Sequence, residues 1–262
     1  MSISGRSLDQ GAIVEHKETT TSASYVCLSC SAALMNHDDA LICQGCQITY
    51  KIREGIPVFT QKDEYWCNVD RTKMQALIKD AEASGDWLAA SQKHIPHYMR
   101  AYEKFYRADA QFIFPINSQS RVLDAGSMWG GLTVPVAQYC REVYAVDKTW
   151  ETLRFMQVRA LQMGIYNIIP TVASIHHLPF PDGYFDHIIL NGVLEWLALD
   201  QDIVLDQHWD GRRKEGIHKH QLSPRAMQLA GLRELRRVLK QEGSIYIAIE
   251  NRIGIQYFFW SP

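Results

Sequence analysis

The chain has 262 residues, 47% of them hydrophobic and 21% charged, with a formal net charge of -2. That length allows one or two domains with a sizeable core, and the near-zero charge excludes a global field drawing the chain onto nucleic acid or an anionic membrane. No apolar run reaches the ~18 residues of a membrane span, and the N-terminal stretch lacks the apolar block of a secretory signal, so the chain reads as cytoplasmic.

Residues 1–24 mix Ser, Thr, Gly and charges without periodicity and read as a disordered tail. Cysteine then concentrates in Cys27-Leu-Ser-Cys30 and, twelve residues later, Cys43-Gln-Gly-Cys46. Paired Cys-x-x-Cys knuckles bring four thiolates tetrahedrally onto one zinc ion, and with all four positions filled by protein the Zn2+ is structural. Disulfides or buried free thiols are the alternative, disfavoured in a reducing compartment. Ile48–Phe59 alternates like a strand pair turning at Glu54-Gly55. Residues 25–60 are thus predicted to be a zinc ribbon. The knuckles and the Gly55-Ile56-Pro57-Val58 ending resemble the small zinc-ribbon protein that activates tRNA, rRNA and release-factor methyltransferases as a separate subunit. The resemblance implies an activator-like module fused ahead of a methyltransferase core, either covering an apolar face or helping to present substrate.

Residues 61–116 are predicted to be a helical linker and cap punctuated by aromatics, among them Trp66, Trp87, Tyr98, Tyr102 and Phe105, the last three at helical spacing. An aromatic stripe either lines a pocket or is simply core, and core is the favoured reading. His94 and His97 flank Pro96 and read as surface or turn residues.

From residue 117 strands and helices alternate, which predicts a parallel sheet with helices on both faces. Val122–Ala125 reads as a buried strand entering a glycine turn and a helix beginning near Leu132, with Pro135 in its first turn or kinking it. Glycines permit a tight turn and close backbone approach, and amides at the helix start face an anion. Two of three fingerprint glycines align, Gly126 and Gly130, with Met128 between them. Glu142–Val146 forms the next strand and ends in Asp147, placed to accept ribose hydroxyls. A helix over Thr149–Met163 closes at Gly164. Strands follow at Ile168–Val172, Phe185–Leu190 and Ser244–Ile249, the last after a helix opened by Ser223-Pro224 and a glycine turn at Gly243.

The Val122-Leu123-Asp124-Ala125-Gly126 strand and turn, Asp147, the Leu178-Pro179-Phe180-Pro181-Asp182-Gly183-Tyr184-Phe185-Asp186 run, and the Leu232–Gly243 helix and turn together resemble the class I S-adenosylmethionine-dependent methyltransferases. The resemblance covers roughly residues 95–255. It implies the α/β fold class: a Rossmann-like, doubly wound, mostly parallel sheet preceded by the small zinc-ribbon domain. It also implies that Asp124, Gly126, Ser127 and Gly130 hold the methionine part of S-adenosyl-L-methionine and Asp147 the ribose. Ser174 stands where the family usually has an Asp for the adenine, beside Ile175, and Asn191 closes the site. In the family, residues like 61–116 cap the cofactor. His177, Glu195, Trp196, Glu250 and Asn251 are the substrate-side candidates, because ligands bind beyond the carboxyl ends of parallel strands. His176 and His177 are candidate bases or plain loop residues; ordinary packing is the alternative for Glu195 and Trp196.

Gly211–His220 is the one conspicuous basic cluster, in a long connection, and reads as a solvated run or a phosphate-recognising loop. The family sheet has two further antiparallel strands for which residues 251–262 leave no room, so the chain, its last domain taken as 117–262, is expected to stop short and to leave Ile245, Ile247 and Ile249 on an exposed edge. Methyl transfer to an unidentified acceptor, either a small molecule or glycan or else RNA or protein, is the function expected. A truncated non-catalytic scaffold acting through the zinc ribbon, and a nicotinamide-dependent reductase, are the alternatives.

Overall fold

A computed structural model of the protein describes residues 25–99, 115–199 and 223–249. The tail 1–24, Tyr102, Phe105, the Gly211–His220 cluster, Glu250 and Asn251 lie outside these described residues.

Four short strands open the described chain: β1 Leu34–His37, β2 Ala40–Cys43, β3 Thr49–Arg53 and β4 Ile56–Val58. They form an antiparallel meander, and the β3–β4 turn sits at Glu54 and Gly55, both with positive φ of 49° and 78°. Helices α1 Arg71–Ser84 and α2 Trp87–His94 follow. The Asp70 carboxylate caps α1 by accepting from the backbone amides of Thr72 and Lys73, and Gly85 ends it at φ 68°. Tyr98 lies in a short 3-10 turn, Pro96–Tyr98, and packs edge-on against Trp129 at 5.1 Å.

The parallel part comprises β5 Arg121–Ala125, α3 Thr133–Ala137, β6 Glu142–Asp147, α4 Trp150–Gln162, β7 Ile168–Val172, β8 Phe185–Asn191, α5 Pro224–Val238 and β9 Leu239–Ala248. Ser223 caps α5, its hydroxyl accepting from the amide of Ala226. One departure from the sequence reading concerns Gly243: the final strand begins at Leu239 rather than after a glycine turn. Leu239 pairs with Phe185 and is buried, and a register shift between Phe185 and His187 absorbs the extra residues. A Cβ at Gly243 would lie 2.9 Å from the Asp186 carbonyl oxygen, so glycine is needed there for close strand approach.

The sheet order is β1-β2-β3-β4-β7-β6-β5-β8-β9. The cysteine-bearing meander therefore continues the parallel sheet: Val58 pairs with Val172 in parallel, and the Phe59 amide donates to the Val172 carbonyl at 2.8 Å. This junction covers what would be a bare strand edge at β7. Tyr25 reinforces it. Its hydroxyl is 2.8 Å from buried Thr171 Oγ1, and its ring packs against Phe59 at 5.2 Å and Phe180 at 5.6 Å. Burying each such ring contributes roughly 1.5–3 kcal/mol, so the meander covers an apolar face rather than hanging free. The Leu178–Asp186 run is secured by α5: Glu234 accepts from the Leu178 amide, and Arg237 donates to the Leu178 and Phe180 carbonyls. Among the described residues no helix is long and apolar enough to cross a membrane.

Candidate cofactor site

The site begins where β5 runs out. Every residue of Val122–Ala125 is buried, as expected of a central parallel strand. Gly126 follows at φ 82°, and the amides of Gly126 and Ser127 both donate to the Val146 carbonyl, at 2.8 and 3.1 Å, folding the turn back on the end of β6. The Gly130 amide closes onto the Ser127 carbonyl at 2.9 Å. Met128, which interrupts the glycine pattern, takes φ 44°, a conformation that costs a side-chain-bearing residue about 1–2 kcal/mol. What that geometry secures is a hydrogen bond: the Met128 amide donates to Asp147 Oδ2 at 2.9 Å.

Asp147 ends β6 half-buried, and its other oxygen accepts from the Thr149 amide at 2.9 Å, so one carboxylate holds both the turn and the start of α4. Burial raises its pKa, while the amides of Thr149, Met128 and Lys148 and the Lys148 charge pull the other way. A carboxylate has about four acceptor positions, which leaves capacity for a ribose hydroxyl. Asp124 differs: it is 2% exposed, accepts from Thr133 Oγ1 at 2.6 Å, and is pushed up to about 6, by burial first and by the neighbouring Asp147 charge as well. Its role is inside the turn, bracing it against α3. That helix has only five residues, starts just after Leu132 and carries Pro135 in its first turn.

Two glycines have side chains standing where a Cβ would be. At Gly126 it would meet Val193 Cγ2 at 2.4 Å, and at Gly130 Met156 Cγ at 2.5 Å. The first contact brings the segment after β8 onto the turn. Asn191 ends β8 half-buried and pairs with Ala248. Glu195 and Trp196 are half-buried just before the 3-10 turn Leu197–Leu199. On the β7 side, Ser174 Oγ accepts from the His176 amide at 3.2 Å, Ile175 turns its side chain into the core, and His177 is exposed. His176 lies 3.2 Å from the Leu197 carbonyl, tying the two loops together.

Sequence reasoning did not single out Trp66 at this site. Its ring meets Trp196 at 5.7 Å, and its amide donates to Thr149 Oγ1 at 2.8 Å. No local signal separates it from the other aromatics, because its partners lie far along the chain.

At the opposite end of the ribbon, the Sγ atoms of Cys27, Cys30, Cys43 and Cys46 all lie within 4.8 Å of one another, with Cys27–Cys46 at 3.5 Å and Cys30–Cys43 at 3.4 Å. Four thiolates bound tetrahedrally at ~2.3 Å stand ~3.8 Å apart, so this set suits a closed structural zinc site.

Fold and turn together define an α/β domain of the nucleotide-cofactor-binding kind, with the ligand end at the carboxyl ends of β5, β6 and β8. Residues 122–216 match the family described as methyltransferase domain. Among solved structures the chain is similar to the YcgJ protein from Bacillus subtilis, at 22% identity over 56% of this chain and 48% of that one, with a TM-score of 0.38. It is also similar to a SAM-dependent methyltransferase from Aquifex aeolicus, at 16% identity over 62% and 67% of the two chains and a TM-score of 0.38. A third similarity is to the complex of the Haloferax volcanii Trm112 methyltransferase activator with a methyltransferase, at 16% identity over 66% and 60% and a TM-score of 0.42. The chain spans about half the length of the first of these, 48%. No curated protein matches it.

Proposed function

We propose that the chain transfers a methyl group from S-adenosylmethionine to an acceptor bound beyond β8, within the cytoplasm. The observation that carries the reading is the doubly used Asp147, which holds the glycine turn through Met128 and the start of α4 through Thr149 while keeping acceptor capacity for a ribose. In this reading Asp124 braces the cradle, and Gly126, Ser127 and Gly130 receive the methionine part. Ser174, Asn191 and the backbone of Ile175 line the remaining wall. When bound, the cofactor supplies an electrophilic methyl on a sulfonium. The chain's own task is then positioning and water exclusion rather than nucleophilic attack. His177, Glu195 and Trp196 face the acceptor, which is a small molecule or glycan, or an RNA or protein. Of these, exposed His177 is the candidate base where the acceptor must lose a proton. The zinc ribbon, residues 25–60, supports the catalytic domain from its sheet edge, with residues 61–116 as its cap.

Calorimetric titration of the zinc-loaded chain tests this. S-adenosylhomocysteine is expected to bind in the micromolar range and NADH not at all, with binding lost in Asp147→Ala. A folded wild-type chain that ignores S-adenosylhomocysteine would refute the reading.

A further inference from the structure

The Trp66–Trp196 pair is built from both sides of the glycine turn. On the β6 side, Thr149 is fully buried and its hydroxyl accepts from the Trp66 amide at 2.8 Å while donating to the Trp66 carbonyl at 3.2 Å. A parallel bridge between Glu64 and Thr149 and an ion pair between Glu64 and Lys148 extend the same anchorage. The Thr149 amide is the one that donates to Asp147, so Trp66 is placed directly by the element holding the acidic site residue. On the β8 side, the Trp196 amide donates to the Val193 carbonyl at 2.9 Å, and Val193 rests on Gly126. Gln228 of α5 secures the same segment by donating to the Leu194 carbonyl at 3.2 Å.

In the sheet, β6 and β8 are the two neighbours of β5. Strands two places apart are separated by ~10 Å. Two indoles with centroids 5.7 Å apart and planes at 65° cover that interval. The contact therefore joins the loops at the ends of β6 and β8, the two strands that flank β5. Both rings remain half-buried, so each keeps surface that a ligand can reach.

Resting on the methyltransferase reading above, we propose that Trp66 and Trp196 form an aromatic clasp over the cradle that discriminates the cationic sulfonium cofactor from its uncharged thioether product. Indole faces carry negative quadrupole potential and attract a cation, the more so where water is partly excluded. A cofactor held by the turn and by Asp147 would carry its sulfonium between these two anchors, near the loops that present the two indoles. Methyl transfer removes the positive charge from sulfur, so the attraction ends with the reaction and product release is favoured. Trp66 is then a specificity-determining residue contributed by the segment between ribbon and α1.

The test is equilibrium binding to the full zinc-loaded chain of three ligands: S-adenosylmethionine, sinefungin, which bears an ammonium near the methyl position, and neutral S-adenosylhomocysteine. Trp66→Leu keeps apolar bulk without a π face, and Trp66→Phe keeps the face. Expected is a roughly 3- to 30-fold weakening of the two cationic ligands relative to the neutral one in the Leu variant, with the preference largely restored in the Phe variant. Equal weakening of all three ligands in Trp66→Leu, or no weakening, would overturn the clasp while leaving the methyltransferase reading intact. A wild-type chain that binds none of the three overturns both. Thermal melting of each variant confirms that folded protein is compared.

Discussion

Asp124 offers a quantitative test of the site's electrostatics. Its carboxyl is buried, is pushed up to about 6 from an ordinary 3.8, and has the Thr133 hydroxyl at 2.6 Å. Because the folded-state pKa is raised, the group favours the fold at pH below 3.8, and that contribution is lost as pH rises through about 6. The whole interval corresponds to ~3 kcal/mol, of which ~1.4 kcal/mol falls between pH 5 and pH 8. Asp124→Asn removes the titration while its amide oxygen still accepts from Thr133. The new amide hydrogens cost ~1–3 kcal/mol if unpaired, but that cost does not vary with pH. Urea denaturation of wild type and variant at pH 5 and pH 8 is therefore read as a difference of differences. The variant is expected to gain ~1.4 kcal/mol on wild type between the two pH values. A gap that stays constant within ~0.3 kcal/mol would refute the assignment of a neutralised, desolvated carboxyl to this turn. The nearby Asp147 supplies part of the upward push, so replacing Asp147 by Asn is expected to narrow the effect.

Glu151 is fully buried, with one oxygen 2.6 Å from Arg71 Nε and the other without a hydrogen-bond partner. Arg71→Ala is expected to cost ~3 kcal/mol in urea denaturation because it strands that charge, and adding Glu151→Gln is expected to recover part of it; a loss below ~0.5 kcal/mol would contradict the pairing. Gly126→Ala forces a side chain into φ 82° and into Val193, 2.4 Å away, and is expected to lower stability by ~2–4 kcal/mol. Val193→Ala should relieve the collision but not the backbone strain, so full rescue would show that only sterics mattered. Zinc chelation is expected to lower the melting temperature by ~5–15 °C, because the ribbon is hydrogen-bonded into the sheet at Phe59 and Val172. An unchanged melt after verified metal removal would show the ribbon to be energetically separate.

Much of this molecule follows from its sequence because the signals are local. Val122–Ala125, Glu142–Val146 and Ile168–Val172 are apolar runs too short for helices and bounded by turn residues, and they form strands within a residue or so of those limits. Ser223-Pro224, Gly164 and Glu54-Gly55 act where their backbone preferences place them, at a helix start, a helix end and a hairpin turn. The Cys-x-x-Cys pairs meet because each knuckle is a local turn and one short hairpin joins the two. Tertiary structure decided what depends on distant partners. Strand pairing uses backbone groups common to all residues, so nothing in Ile56–Val58 announced that it would lie parallel to β7 and make the cysteine-bearing meander and the parallel strands one sheet. Nor could Trp66 be told from any other aromatic until Thr149 and Trp196 closed around it. Gly243 carries the same lesson at smaller scale: a glycine suits a turn or a tight strand contact equally, and only the buried pairing of Leu239 with Phe185 selects the second.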